Sequence, residues 1–221
     1  MRTPVAIVGA GPAGLMLSHL LARGGVSSVV LEARSREYVE HRVRAGVLEH
    51  GTAQLLVQTG VGERMRREGL VHRGIDIRFD GALHHIDFER LVGRTIMVYG
   101  QQEVVKDLIA ARLAAGGDIR FDCAEVRIAG FEGGTPRVAF VHEGRAQEIE
   151  CDFIAGCDGF HGVCRDAIPA GRLERFERTY PFAWLGILAR AAPAREELVY
   201  AHHERGFALF SMRSRELTRL Y

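Results

Sequence analysis

The first thirty residues pass from a strand pattern to a helix pattern and back. Residues 5–8 are four consecutive apolar, mostly β-branched residues, which predicts a buried parallel strand. The hydrophobic period then becomes helical until the pair Gly24 and Gly25, and residues 28–31 predict a second buried strand. The predicted apolar face of the helix consists of Ala13, Leu17, Leu20 and Leu21.

The middle of the chain alternates between helical and strand patterns. A helical pattern over 49–65 is interrupted around Gly60 and Gly62, and a further helix follows the strand predicted at 95–99. The apolar face of that further helix consists of Val105, Leu108, Ile109 and Leu113. Strict alternation at Ile75, Ile77 and Phe79 predicts a half-exposed strand, antiparallel to the segment after Gly81.

Three short strand patterns then precede one longer apolar strand. They lie around 119–123, 125–131 and 137–142, separated by glycines, and predict an inserted β-meander. Residues 149–155 predict a return to a buried strand. From residue 175 onward, aromatic and apolar residues predict a sheet that carries a hydrophobic pocket; they include Phe176, Tyr180, Phe182, Trp184 and Leu185.

Composition and charge narrow the class of protein. The 221 residues are 47% hydrophobic and carry a formal net charge of +1, which gives no electrostatic case for nucleic acid or an anionic membrane surface. No apolar run approaches the roughly 18 residues that span a bilayer, and the chain starts directly in a strand without a signal-peptide pattern. The four cysteines form no C-x-x-C pair and are expected to be reduced thiols, so we expect a cytoplasmic enzyme without a metal site.

The glycines between the first strand and helix carry the first functional signal. Gly9, Gly11 and Gly14 form G-x-G-x-x-G, in which the first makes the tight turn, the second admits a pyrophosphate and the third permits close helix packing. Glu32 ends the second strand, where a carboxylate can accept from both ribose hydroxyls. A tight strand–helix connection is the alternative, but strand, glycines, helix, strand and acid in this order favour a dinucleotide site.

Three further features are ambiguous when taken alone. The four arginines between positions 34 and 44 suit either a solvated turn or phosphate binding, and their place beside the glycines favours phosphate. Asp158-Gly159 follows a predicted buried strand, where α/β sheets bind ligands, although Asp-Gly is also a common turn. A single histidine such as His72 is ordinarily structural.

Three motifs together support a resemblance to a known family. The G-A-G-P-A-G fingerprint with Glu32, the Arg-x-Arg-Ala-Gly run at 42–46 and Gly-Cys-Asp-Gly-Phe-His-Gly at 156–162 resemble the class A flavoprotein aromatic hydroxylases. The resemblance covers the whole chain, which is similar to the N-terminal part of that family. It implies an α/β fold: a Rossmann-like FAD/NAD(P)-binding fold with an inserted β-meander and an interleaved β-sheet substrate domain.

The resemblance also implies domain bounds and cofactor residues. The FAD-binding domain would comprise 1–72 and 98–175, and the substrate domain 73–97 and 176–221, incomplete at its C-terminus. FAD would be bound together with NADPH or NADH as co-substrate, and full-length relatives would be homodimers. The cofactor-binding positions implied are Gly9, Gly11, Ala13, Gly14, Glu32, Arg42, Arg44, Gln101, Asp158 and His161.

The substrate and catalytic positions follow from the same resemblance. Tyr200 would face the phenol oxygen, Arg219 would lie beside the flavin, and His72 would end a proton relay. The substrate-binding positions implied are Tyr200, Ser211, Arg213 and Tyr221. The implied reaction hydroxylates 4-hydroxybenzoate to 3,4-dihydroxybenzoate with NAD(P)H and O2, through a flavin hydroperoxide.

Two alternatives and two departures accompany this interpretation. The chain is alternatively a hydroxylase of another phenolic acid, or a truncated FAD-binding fragment without catalysis. Ala33 and Arg34 stand where the family often has Arg-Gln, which leaves the choice between NADPH and NADH open. Family members are nearly twice as long, and the second flavin fingerprint and the tyrosine that completes the relay do not occur in this sequence.

Overall fold

The computed structural model describes all 221 residues and shows a mixed α/β protein. The strands are β1 Arg2–Val8, β2 Ser28–Leu31, β3 Val47–Leu48, β4 Leu70–His72, β5 Gly74–Phe79, β6 Ala82–Asp87, β7 Ile96–Val98, β8 Asp118–Arg120, β9 Ala124–Ala129, β10 Arg137–His142, β11 Arg145–Gly156, β12 Ile187–Ala189, β13 Leu198–His203, β14 Gly206–Met212 and β15 Thr218–Leu220. The helices are α1 Pro12–Arg23, α2 Arg36–His41, α3 His50–Gln58, α4 Glu63–Glu68, α5 Phe88–Val92, α6 Gln101–Ala114 and α7 Val163–Asp166. None of these helices is long and apolar enough to cross a membrane.

The chain divides into two compact units. The first unit comprises Met1–Val43 and Gln102–Phe176, and the second comprises Arg44–Gln101 and Glu177–Tyr221. This division differs from the sequence-based one in assigning 44–72 and 98–101 to the second unit and residue 176 to the first. The functional labels attached to the two predicted domains stay predictions.

The first unit is built on a single six-stranded sheet. Its order is β8-β2-β1-β11-β10-β9, and the four strands β8, β2, β1 and β11 are parallel. If these four strands are numbered by their order along the chain, their order across the sheet is 3-2-1-4, which is the strand order of a Rossmann half. The antiparallel strands β9 and β10 extend the sheet beyond β11. The predicted meander is therefore corrected: β8 pairs in parallel with β2, and the meander is β9–β10–β11.

Helix α1 lies in the predicted place but buries a different face. Gly14, Leu15 and Ser18 are buried, whereas Ala13 and Leu20 are exposed. A Cβ on Gly14 would lie 2.0 Å from the Gly9 carbonyl oxygen, so the close approach of helix to strand turns this side inward. The apolar face predicted for α1 was therefore wrong at Ala13 and Leu20, whereas Leu17 and Leu21 are half-buried.

Helix α6 buries a charged residue that its sequence pattern did not predict. Val105, Leu108 and Ile109 are buried as expected, but Leu113 is exposed and Arg112 is buried. Arg112 Nε donates to Ser18 Oγ at 3.0 Å, which satisfies part of the guanidinium inside the unit.

Strand β11 is less buried than predicted. Ile149 and Cys151 are buried, but Phe153 is 71% exposed, so the fully buried part of the strand ends at Cys151. All four cysteines are free thiols, as expected: Cys123 and Cys151 are buried, and Cys157 and Cys164 are half-buried.

The second unit contains two sheets. A six-stranded sheet has the order β12-β15-β14-β13-β5-β6, and a three-stranded sheet has the order β3-β7-β4. The predicted antiparallel pair after residue 74 is confirmed as β5 and β6. The side chains that β5 buries differ from those predicted, however. Asp76 is fully buried, whereas Ile75 and Ile77 are only half-buried.

The aromatic segment before β12 does not form the predicted pocket. Residues 167–186 contain no helix or strand. The side chains predicted to line a hydrophobic pocket are instead exposed, namely Phe176, Tyr180, Phe182, Trp184 and Leu185. The centroid of the Trp184 ring lies 5.3 Å from that of Phe207 and 5.8 Å from that of Tyr221. Among these five side chains, Trp184 is the one whose ring contacts aromatic residues of the sheet region.

Candidate functional sites

The glycine loop between β1 and α1 leaves an open face at its second glycine. Gly9 has φ +106°, and a Cβ there would lie 2.4 Å from the Cys157 carbonyl oxygen, so only glycine fits. A Cβ on Gly11 would meet no atom within 4 Å. The open space therefore lies where the N-terminus of α1 presents unpaired N–H groups, an arrangement suited to phosphate.

The Glu32 carboxylate is fixed beside this loop. Glu32 Oε2 accepts from the Ala10 N–H at 2.8 Å, and Oε1 accepts from the Arg34 N–H at 2.9 Å. The strand end and the glycine loop are thus tied together by one side chain. Each carboxylate oxygen retains a lone pair that can accept from a ribose hydroxyl.

Asp158 lies at the carboxyl end of β11 beside a groove of about 830 Å³. The groove is lined by Ala13, Phe153, Cys157 and Asp158 among others, so two residues of the implied cofactor set share one cavity. Asp158 Oδ2 accepts from the Cys164 N–H at 2.9 Å, and the Cys164 side chain also interacts with this carboxylate. The Asp158 carboxylate thus accepts a hydrogen bond from a backbone N–H of its own turn and also lines the cavity.

The two implied coenzyme residues each pack against their own aromatic neighbour. Arg42 is exposed and lies 5.5 Å from the centroid of the Tyr38 ring, which Arg34 also approaches at 5.6 Å. His161 is exposed and contacts the Phe160 ring edge-to-face. The structure gives no hydrogen bond between Arg42 and His161.

Arg44 and Gln101 are neighbours in the second unit. The Gln101 N–H donates to the Ala45 carbonyl at 2.9 Å, and the Tyr99 N–H donates to the Gly46 carbonyl at 2.9 Å. This pairing of two distant segments brings the two implied flavin-contacting positions to adjacent places on the backbone.

The register of the second unit's large sheet gathers the implied substrate residues on one face. Tyr200 pairs with Leu209, and Ser211 pairs with Arg219. Paired residues share a face, as do residues two apart along a strand. Tyr200, Ser211 and Arg219 therefore share one face, and the positions of Arg213 and Tyr221, two residues beyond the paired ones, continue it.

The Arg213 guanidinium is a half-buried cation without an acidic partner. The Tyr221 hydroxyl hydrogen-bonds to it, while Arg219 stacks on the Tyr221 ring with Cζ 4.6 Å from the centroid. Burial lowers the pKa of Arg213 because it disfavours the charged form, and Arg219 lowers it further by repulsion, whereas Tyr221 raises it. Beside it, the buried Ser211 Oγ has no hydrogen-bond partner. These donors together form a receptor for an anion.

His72 is buried in the three-stranded sheet. Its pKa is lowered by burial, an effect that the Glu197 carboxylate partly opposes. His72 Nδ1 lies 3.4 Å from Glu197 Oε2, and the structure gives no hydrogen bond between His72 and Tyr200. Sequence reasoning did not single out Glu197, because its contact with His72 joins positions 125 residues apart.

A second buried carboxylate was also missed. Asp76 Oδ1 lies 2.8 Å from His85 Nδ1, and Oδ2 lies 2.7 Å from Arg195 Nε. Its alternation with isoleucines predicted an exposed side chain. The cross-strand register, which places His85 opposite Asp76, is what allows the burial.

The strand order, glycine loop and placed carboxylate define a Rossmann-type dinucleotide-binding protein. The chain belongs to the FAD binding domain family, whose model matches residues 2–221. The residues present fit the cofactor of that family, since a Cβ on Gly11 meets no atom within 4 Å and the Glu32 carboxylate is bonded to the glycine loop.

The chain is similar to two curated relatives, a hydroxylase and a monooxygenase. The chain is 47% identical over 222 aligned residues to p-hydroxybenzoate hydroxylase of Acinetobacter baylyi, with 100% of the chain and 55% of the relative covered. It is 33% identical to 6-methylpretetramide 4-monooxygenase of Streptomyces rimosus, with 80% of the chain and 44% of the relative covered. The chain thus spans about half the length of these relatives.

Solved structures confirm the fold. PqsL of Pseudomonas aeruginosa, crystallised with 2-aminobenzoylacetate, gives a TM-score of 0.82 at 20% identity, with 100% of the chain and 60% of that structure covered. The p-nitrophenol 4-monooxygenase PnpA of Pseudomonas putida gives 0.77 at 18% identity, covering 99% of the chain and 57% of that structure.

Proposed function

We propose that this chain is the FAD- and substrate-binding part of a flavin-dependent monooxygenase that converts 4-hydroxybenzoate to 3,4-dihydroxybenzoate with NAD(P)H and O2. The observation that carries the proposal is the Arg213 guanidinium, half-buried without an acidic partner and hydrogen-bonded to Tyr221. A planar guanidinium binds a carboxylate through two parallel hydrogen bonds, which orients an aromatic acid as well as attracting it.

The remaining residues of the same face complete the proposed substrate site. Ser211 Oγ, buried and unpartnered, donates to the substrate carboxylate and thereby satisfies a polar atom that is otherwise costly. Tyr200, two strands away from Arg219, hydrogen-bonds the substrate's phenolic oxygen and favours the phenolate. A phenolate directs electron density to the neighbouring ring carbon, which is the position hydroxylated.

The cofactor residues form the other part of the proposal. Gly9, Gly11, Ala13 and Gly14 bind the FAD pyrophosphate at the α1 N-terminus, and Glu32 binds the ribose. Bound FAD supplies the reduction and oxygen chemistry, and the protein supplies orientation and exclusion of water. Further FAD contacts are assigned to Arg44, Gln101 and Asp158.

The nicotinamide coenzyme is assigned to a separate set of side chains. Arg42 and His161, both exposed, are proposed to bind its phosphates, and Arg219 to act beside the flavin. We also place the reaction in the cytoplasm, because reduced coenzyme and free thiols are maintained there.

The decisive experiment is the visible spectrum of the purified chain with FAD, before and after addition of 4-hydroxybenzoate. A bound-flavin spectrum that shifts with 4-hydroxybenzoate, but not with the uncharged analogue 4-hydroxybenzamide, is expected. Arg213→Lys should abolish the shift, whereas Arg215→Lys, at an exposed position two residues on, should retain it. Chromatography of the product should then show 3,4-dihydroxybenzoate.

The other outcomes identify the alternatives. A spectrum that responds more strongly to another phenolic acid indicates a related hydroxylase. Bound FAD without coenzyme oxidation or product indicates a binding fragment, and a protein that stays colourless with FAD overturns the proposal for this chain.

A further inference from the structure

One buried acceptor at the start of α6 has no hydrogen-bond partner. Gln102 is the second residue of this helix, and its Oε1 is buried although the residue as a whole is only half-buried. This oxygen forms no hydrogen bond within the protein. A buried carbonyl oxygen without a donor carries the full cost of its lost hydration, so each such atom in a folded protein requires a physical reason.

The donors closest to Gln102 along the chain are already engaged. Lys106, one helical turn further on, pairs with Glu103 at 2.9 Å. The N–H of Gln101, the preceding residue, donates to the Ala45 carbonyl at 2.9 Å. These neighbours therefore supply no partner for the Gln102 oxygen.

The topology of the first unit places the start of α6 at the edge of the sheet that carries the glycine loop. Helix α6 ends at Ala114, shortly before β8 begins at Asp118, and β8 is parallel to β2. A helix that connects two parallel strands runs in the opposite direction to them. The C-terminal end of α6 therefore lies at the amino edge of the strands, and its N-terminal end at their carboxyl edge.

Two hydrogen bonds fix the level of α6 along the strands. Arg112 Nε donates to Ser18 Oγ at 3.0 Å, and Ser18 Oγ lies 3.0 Å from Oγ of Ser28, the first residue of β2. Gln102 precedes Arg112 by ten residues, which is about 15 Å of helix. Glu32 follows Ser28 by four residues, which is about 13 Å of strand. Gln102 and Glu32 therefore lie at nearly the same level, at the carboxyl edge.

We propose that Gln102 is a further FAD-binding residue, whose Oε1 accepts a hydrogen bond from a sugar hydroxyl of the cofactor. The inference rests on the proposed function, in which FAD binds at this edge with its diphosphate at Gly11 and its ribose at Glu32. Diphosphate oxygens only accept at neutral pH, so the donors in the sugar-phosphate part of FAD are the ribose and ribityl hydroxyls. Because Oε1 makes no hydrogen bond within the protein, turning the half-buried amide towards the cofactor breaks none.

Substitution by methionine separates a cofactor contact from a structural role. Gln102→Met keeps an unbranched side chain of similar length and a similar helix propensity, but it removes the acceptor. The FAD-free variant should unfold at the same temperature as the wild type or at a higher one, because an unpaired buried oxygen has been removed. The same variant should bind FAD about three- to tenfold more weakly, as expected for the loss of one neutral hydrogen bond.

Binding is measured on the 221-residue chain by isothermal titration calorimetry with FAD, ADP and FMN, and unfolding by differential scanning calorimetry. Gln54→Met, at an exposed position of α3, is the matched control and should change neither quantity. A weaker affinity for ADP assigns the hydroxyl to the adenosine ribose, and a weaker affinity for FMN assigns it to the ribityl chain.

The outcomes distinguish this inference from the proposed function. Equal affinities of Gln102→Met and the wild type for FAD overturn the inference, as does a clear loss of stability in the FAD-free variant, which indicates a structural role. A wild-type chain that binds no FAD overturns the inference and the proposed function together. If FAD binding weakens as expected but the wild type does not hydroxylate 4-hydroxybenzoate, the proposed function fails and the Gln102 assignment stands.

Discussion

The Arg213 guanidinium occupies the space that a side chain at Gly46 would fill. A Cβ built on Gly46 would lie 1.3 Å from Arg213 Nη1 and 2.5 Å from Cζ. The Gly46 carbonyl is at the same time bonded to the Tyr99 N–H. The backbone at Gly46 is thus fixed, and the arginine can lie against it only because residue 46 is glycine.

Gly46→Ala is therefore expected to displace the guanidinium while leaving the fold intact, since the end of a flexible side chain moves more easily than paired backbone. The affinity for 4-hydroxybenzoate should fall by about tenfold to a hundredfold, in line with about 1–3 kcal/mol for charge-assisted hydrogen bonds. Flavin absorbance titration measures the affinity, and thermal unfolding should show a small change. Gly51→Ala, where a Cβ meets no atom within 4 Å, is the control. Equal affinities in the two variants would show that Arg213 does not bind the ligand.

The first two glycines of the fingerprint should separate folding from cofactor binding. Gly11→Ala adds a methyl group that meets no protein atom within 4 Å, so the melting temperature should hardly change, but the methyl group obstructs the phosphate. Gly9→Ala introduces both a contact of 2.4 Å with the Cys157 carbonyl and a φ of +106°, so the protein itself should be destabilised. Calorimetry and FAD fluorescence quenching measure the two effects. Tight FAD binding by Gly11→Ala would contradict the phosphate assignment.

Asp76→Asn tests the buried carboxylate of β5. The amide nitrogen can only donate, so the buried side chain loses its favourable contact with either His85 or Arg195. We expect a loss of about 1–3 kcal/mol in the free energy of unfolding, measured in urea. Asp152→Asn, whose partner Arg2 is 65% exposed, should cost less than about 1 kcal/mol. Similar losses in the two variants would show that burial at Asp76 has no energetic consequence.

The four thiols should be unreactive in the folded protein at pH 8. Burial raises the pKa of Cys164 to about 12 and that of Cys123 to about 11, so the reactive thiolate is scarce. Alkylation by iodoacetamide, followed by mass spectrometry, should be slow until urea is added. Because these pKa values are raised on folding, the stability they contribute is present below pH 9 and is lost as the pH rises towards 11 and 12. Rapid modification of Cys164 at pH 8 would contradict its burial.

Local order along the chain was largely predictable. The first two buried strands, the helix between them and the position of Glu32 follow from hydrophobic periodicity and glycine placement, which depend on neighbouring residues only. The faces that these elements bury were less predictable. The side of α1 that faces inward depends on the close approach of Gly14 to Gly9. Strand β8 joins the sheet by pairing with β2, where Asp118 lies opposite Val29, a residue 89 positions earlier in the chain.

The sequence by itself determined the dinucleotide fingerprint, the strand–helix order and the residues that resemble a hydroxylase, because each is a short pattern of adjacent or regularly spaced residues. The tertiary structure alone decided that Arg213 lies against Gly46, that Glu197 faces His72, and that Asp76 is buried with His85 and Arg195. Each of these relationships joins residues on different strands or loops. Their distances depend on sheet register and chain crossing, which no local pattern of hydrophobicity or charge encodes.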